Sequence, residues 1–207
     1  MKRVNRIHLL LLLLVTSVFV WSGIKPEGYL IWVAEVLPMA VVLVISIAVY
    51  KKFQLTTLSY IIIAILSVIT FIGGHYMYSK VPLFDWIKDS YDLKRNNYDR
   101  FGHLLKGLIA IPIREILIRK TPLSKNSWLF AFAISISLAL GALYELIEWI
   151  SAVIGKKIGK SSDDFLGMQG DKWDAQWDMA LLLVGSILAL IFLSKLHNRM
   201  LGRKDVL

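Results

Sequence analysis

The chain has 207 residues, 57% of them hydrophobic and 19% charged, against an ordinary 45–50% and about 25%, and its mean hydropathy is +0.61. So short a chain cannot hide that much apolar surface from water, so lipid must cover part of it, which excludes a soluble enzyme, a disordered chain and a coiled coil. The absence of Cys excludes a disulfide scaffold, thiol catalysis and thiolate metal sites, and the net charge of +9 must be read from where the charges lie.

A bilayer core about 30 Å thick needs about 20 apolar residues in a helix. Six stretches answer to that: residues 7–24, 30–50, 58–78, 101–118, 128–154 and 177–196. They predict an all-α membrane protein, a six-transmembrane-helix bundle forming a single polytopic membrane domain over residues 1–207. The first stretch is almost unbroken Leu and Val after a basic start (Lys2, Arg3, Arg6). That resembles a signal peptide, but no small-x-small cleavage pair follows, and an uncleaved helix is the reading taken. The second stretch carries Glu35, with Pro38 nearby. The third is interrupted by Gly73, Gly74 and His75; a His beside such a close-packing pair reads as a satisfied interface residue before a ligand. The fourth is the least apolar, with Lys106, Arg114 and Glu115. Glu115 and Arg119 stand i, i+4 and read as a structural pair.

Lys and Arg near helix ends stay cytoplasmic. Both termini are basic, and the turn Lys51–Lys52 outweighs Lys25 across the next helix. The expected topology is N-in and C-in, with the charge forming a collar against anionic lipid and no role in nucleic-acid binding. The acidic residues then sit on the other side. Ten of the 15 fall on outer segments or outer helix ends: Glu27, Asp85, Asp89, Asp92, Asp99, Asp163, Asp164, Asp171, Asp174 and Asp178. Trp21, Trp86, Trp149, Trp173, Trp177, Tyr76 and Tyr78 cluster near the same boundary, as an aromatic belt does.

Ionisable residues inside a membrane are costly and mark function by default. Asp99 and His103 are i, i+4, Glu145 and Glu148 are i, i+3, and Asp171, Asp174 and Asp178 run i, i+3, i+7. Each set shares one helix face, and all lie within about two turns of the outer boundary. A bundle gathers such edges inside, because lipid does not solvate them. Crowded carboxylates stay charged together only beside something positive. That partner is a divalent metal, shared protons, or Arg100 and Lys106. The candidate catalytic residues are therefore Asp99, His103, Glu145, Glu148, Asp171, Asp174 and Asp178. The candidate ligands of a divalent metal are His103, Glu145, Glu148, Asp174 and Asp178. The loop from Phe165 to Met179 adds Gly167, Gly170, Gln169 and Gln176, more polar text than a helix cap needs.

Three separated stretches resemble the YjdF family of bacterial inner-membrane proteins: Asn97-Tyr98-Asp99-Arg100-Phe101-Gly102-His103, Tyr144-Glu145-Leu146-Ile147-Glu148-Trp149, and Phe165 to Met179. More distantly the chain is similar to VanZ-like proteins, linked to glycopeptide resistance. His103, Glu145, Asp178 and Gly185 match that pattern; Glu148 replaces a Gln and Leu182 an Asn. The resemblance implies a multi-pass protein of the bacterial cytoplasmic (inner) membrane and supports the site residues without supplying a reaction. Three functions remain open on the residues: a membrane-embedded enzyme acting by metal or acid/base chemistry on a lipid-linked or envelope substrate, an ion- or proton-coupled transporter, and a non-catalytic envelope-interaction protein.

Overall fold

A computed structural model describes residues 5–157 and 169–204; Asp163, Asp164, Asp205 and residues 165–168 of the polar loop lie outside the described residues. Among the described residues the chain is helical, without strands. The helices are α1 (Arg6–Ser22), α2 (Tyr29–Val49), α3 (Thr57–His75), α4 (Pro82–Ser90), α5 (Tyr98–Lys106), α6 (Ala110–Lys120), α7 (Ser127–Lys157) and α8 (Asp174–Lys204). A 3₁₀ turn, Gly107–Ile109, joins α5 to α6. By length and composition α2, α3, α7 and α8 can each cross a membrane, while α1 is apolar but 17 residues long.

Helix ends follow local chemistry. Asn5 caps α1, accepting from the Ile7 amide at 2.9 Å. Thr56 caps α3 through Ser59. Pro82 opens α4, where its missing N–H costs nothing. This short helix lies within the stretch Lys80–Arg100 that links the third and fourth apolar stretches. Leu83 and Trp86 of α4 are exposed, while Phe84 packs edge-on against Tyr98 at 5.2 Å.

The fourth apolar stretch is not one helix. Pro112 lacks the N–H that the Leu108 carbonyl needs, and its ring crowds that carbonyl. The backbone answers by tightening into the 3₁₀ turn just upstream. Such irregular backbone is tolerated at membrane depth where protein encloses it. Ala110 and Ile111 are wholly buried there, packed with Leu58, Ile62 and Leu66 of α3 and with Ala189 and Leu190 of α8. The break also admits a very close approach of two backbones. A Cβ on Gly185 would stand 2.0 Å from the Leu104 carbonyl oxygen, and one on Gly107 would stand 2.4 Å from the Ser186 amide nitrogen. Lipid tails are as apolar as Leu, so this kind of close fit, more than burial itself, holds membrane helices together.

A second close approach corrects the aromatic-belt reading. Tyr78 is 4% exposed. Left-handed backbone at Met77 and Tyr78 turns the chain back, and the Tyr78 ring lies where a Cβ of Gly73 would be, 2.6 Å away. The five tryptophans of the belt are exposed.

At the end of the bundle that carries Lys51, polar groups lock three helices. The buried Glu115 carboxylate accepts from the Thr56 amide (2.8 Å), the Thr56 and Ser59 hydroxyls (2.7 and 2.6 Å), and Arg119 (2.9 Å). Arg114 can only donate, so at 2.9 Å it fixes His197 Nδ1 as acceptor. The Nε2–H of His197 then donates to Glu115 at 3.3 Å. Glu115 thus serves the unpaired donors that begin α3, and ties α6 and α8 to it. The Glu115–Arg119 pairing expected from i, i+4 spacing is present within this larger network.

Gly185→Ala should therefore be costly. Its methyl must push α8 away from α5, and overpacking of this kind costs about 1–3 kcal/mol. Gly202 has nothing within 4 Å of an added Cβ, so Gly202→Ala should leave the unfolding temperature in detergent unchanged. Equal melting of the two variants would mean that the Gly107–Gly185 contact does not limit stability.

Candidate functional site

The opposite end of the bundle gathers the acidic residues. Asp99 lies in the first turn of α5 and His103 one turn on, with Nε2 and Oδ1 3.5 Å apart. Asp178 enters from α8 and is 2% exposed. One ligand atom each from Asp99, His103 and Asp178 falls within a 4.8 Å group. Glu145 of α7 reaches to 3.5 Å from His103 Nε2. Glu148, one turn further, does not join this group. It borders a cavity of about 180 Å³ with Glu145, Trp149, Asp174 and Gln176. The close group thus includes Asp99, which the expected metal set omitted, and leaves Glu148 and Asp174 beside it.

Asp174 opens α8 and is buried against Arg95, with Arg100 3.9 Å away. Asp171 lies before the helix, because α8 begins three residues later than the i, i+3, i+7 stripe requires. It is partly exposed and pairs with Arg100 at 2.5 Å. The Trp173 amide, donating to it at 2.9 Å, is the main influence holding its carboxyl below the usual 3.8; Arg100 and Arg95 add to this.

Two further cations are present here among the described residues: Lys172 lines the small cavity, and Lys106 lies beside His103. The Lys106 ammonium stands 2.8 Å from His103 Nε2 and 4.4 Å above the Tyr144 ring. An ammonium has no lone pair, so Nε2 accepts and the proton of a neutral His103 sits on Nδ1. That Nδ1 is buried without a hydrogen-bond partner among the described residues, as are Glu145 Oε1 and Asp178 Oδ1. Buried polar atoms are seldom left so.

Glu35 also belongs here. It accepts from the Tyr144 hydroxyl at 2.5 Å, joining α2 to α7. His75 does not: its Nδ1 lies 3.0 Å from the Ser22 carbonyl and its ring 4.5 Å from Trp21, a satisfied interface. Sequence reasoning passed over Arg95, Asn96 and Tyr144. Asn96 is buried, donates to the Val81 carbonyl and to Asp85, and exchanges backbone bonds with the Gln169 amide at 2.8 and 2.9 Å. The residue pattern held one signal for this, Gln169 in excess of any capping need.

The pairing at the rim should be visible in acid. A carboxyl whose folded pKa is depressed adds stability above its unfolded value, and that contribution is lost as pH falls through the folded value. For Asp171 the loss begins below about pH 3.8. Asp171→Asn should therefore flatten the fall of the unfolding temperature on acidification below that pH, relative to the unchanged protein. Parallel profiles would mean that Asp171 gains nothing from Arg100 and the Trp173 amide.

A family model described as "Predicted membrane protein (DUF2238)" matches residues 7–199. The "Inner membrane protein YjdF" of Escherichia coli (strain K12) is 38% identical over 192 residues, covering 92% of this chain and 90% of that one. No solved structure matches.

Proposed function

The chain belongs to the DUF2238 family of predicted membrane proteins, and we propose that it is a membrane-embedded enzyme whose site works by divalent-metal and acid/base chemistry on a lipid-linked or envelope substrate. It is a multi-pass protein of the bacterial inner membrane, as the name of its relative and its own apolar helices support. In the full reading the six apolar stretches form one membrane domain with both termini inside, and the acidic end faces out.

The observation that carries the proposal is the meeting of Asp99, His103 and Asp178 within 4.8 Å, beside buried Nδ1, Oε1 and Oδ1 atoms that lack partners among the described residues. Mixed imidazole and carboxylate donors suit zinc, manganese or iron. When bound, such an ion polarises a substrate oxygen or acidifies a bound water. Glu145 touches both this group and the small cavity, which suits it to move a proton between substrate and site. Glu145, Glu148 and Asp174 with Lys172 give that cavity charged walls, and exposed Trp149, Trp173 and Trp177 stand where an amphipathic substrate meets the bilayer surface. Lys106 occupies the cationic place beside His103 Nε2 and already lies over the Tyr144 ring, so Asp99, Asp178 and His103 would hold an ion only with the ammonium turned away from Nε2.

Two measurements test this reading. Reporter fusions at Leu207 and between Gly155 and Lys160 should report cytoplasm and exterior respectively; the reverse pattern sinks the outward-facing site. Purified protein should also contain stoichiometric metal, and Asp178→Asn or Glu145→Gln should lose it while still folding, since the amide keeps the shape and drops the charge. If Lys106 alone neutralises the acids, the same variants melt lower, because a partly buried cation loses a partner. If the acids merely crowd one another, the variants melt at the same temperature or higher. Either outcome, with no metal in the unchanged protein, defeats the proposal.

A further inference from the structure

Away from the acidic site, α1 and α2 form a V over α3. At its apex they are joined: the Trp32 indole donates to Ser22 at 3.1 Å, and the Phe19 and Trp32 rings stand 5.8 Å apart. Toward the Lys51 end they part around a cavity of about 500 Å³, within the usual range of ligand sites. Its walls are Leu11 and Val15 of α1 and Leu43 and Ile47 of α2, and its floor is Ala64 of α3. Most of its lining is apolar, and leaving the groove empty would forfeit the dispersion contacts of those walls.

The groove has a tail end and a head end. From Leu43 to Tyr50, and from Val15 to His8, it runs about 10 Å, most of one leaflet of a hydrocarbon core about 30 Å thick. Its head end is polar: His8 lies 2.8 Å from the Tyr50 hydroxyl and 3.0 Å from that of Thr57, and Lys51 lines the mouth. Exposed Arg6 and Lys52 add positive charge at the same level. An apolar slot one leaflet deep with a cationic mouth has the shape and charge of a single class of molecule. Basic pockets between membrane helices bind anionic lipid headgroups.

We propose that the α1–α2 groove is a binding site for an anionic phospholipid of the adjacent leaflet, one acyl chain lying between the helices and the phosphate held at Lys51. The site is separate from the acidic cluster and stands whether or not that cluster is catalytic. The experiment is native mass spectrometry of the full chain in mild detergent, titrated with phosphatidylglycerol and with phosphatidylcholine of the same chains. Phosphatidylglycerol should bind preferentially. Lys51→Ala should weaken it about fivefold, the share of one basic residue near the surface. Ser46→Phe, which puts a ring into the groove, should abolish the preferred site for both lipids. Equal uptake of the two lipids, a preference untouched by Lys51→Ala, or a preference that survives in folded Ser46→Phe protein would overturn the proposal.

Discussion

The contact of Gly107 with Gly185 sets the register on which both polar clusters depend. α5, the 3₁₀ turn and α6 run alongside α8 in the same direction, and their backbones touch at this point. One turn before Gly107 is His103, and two turns before Gly185 is Asp178. Counted from this shared origin the two Cα positions differ by about one turn, a gap the side chains span to meet. Beyond the contact, Arg114 and Glu115 meet His197 and Asn198 through hydrogen bonds. A side chain at either glycine would force the helices apart and loosen both ends together. The 3₁₀ turn is part of the same device, since Pro112 removes the regular helix just where the close approach is needed.

The sequence revealed more of the site than of the connections that build it. Composition and run length were enough for an all-helical membrane chain, and helical spacing placed Asp99 with His103 and Glu145 with Glu148. Those inferences need one helix each. The split of residues 101–118 was hidden because apolar content does not report backbone regularity, although Pro112 stood in plain view. The inward turn of Tyr78 was hidden for a different reason: belt statistics assign aromatics to the boundary, and only the missing Cβ of Gly73 lets the ring fold back. Arg95 escapes notice because nothing local links it to Asp174, 79 residues away. Glu35 and Tyr144 are likewise 109 residues apart. Pairings of that range have no periodicity to betray them.

Comparing the two ends of the bundle separates structure from chemistry. Both bury ionisable groups where lipid cannot solvate them, and both cost the fold desolvation energy. At the Lys51 end each group named has been matched: Glu115 accepts from an amide, two hydroxyls, a guanidinium and an imidazole, and the geometry leaves one tautomer for His197. A carboxylate so surrounded is a joint, with no capacity left for a ligand. At the acidic end Arg95 and Arg100 pair with Asp171 and Asp174, although the Arg100 Nε is buried there without a hydrogen-bond partner among the described residues. One turn deeper the unmatched atoms are acceptors and an imidazole nitrogen. Asp178 Oδ1, Glu145 Oε1 and His103 Nδ1 are buried without partners among the described residues, while a lysine stands against the imidazole. A fold that satisfies Glu115 so fully has the means to satisfy these atoms as well. Their unused bonding capacity lies beside a cavity and beneath exposed tryptophans, and it is this contrast within one molecule, more than the count of acids, that supports a site in the deeper layer.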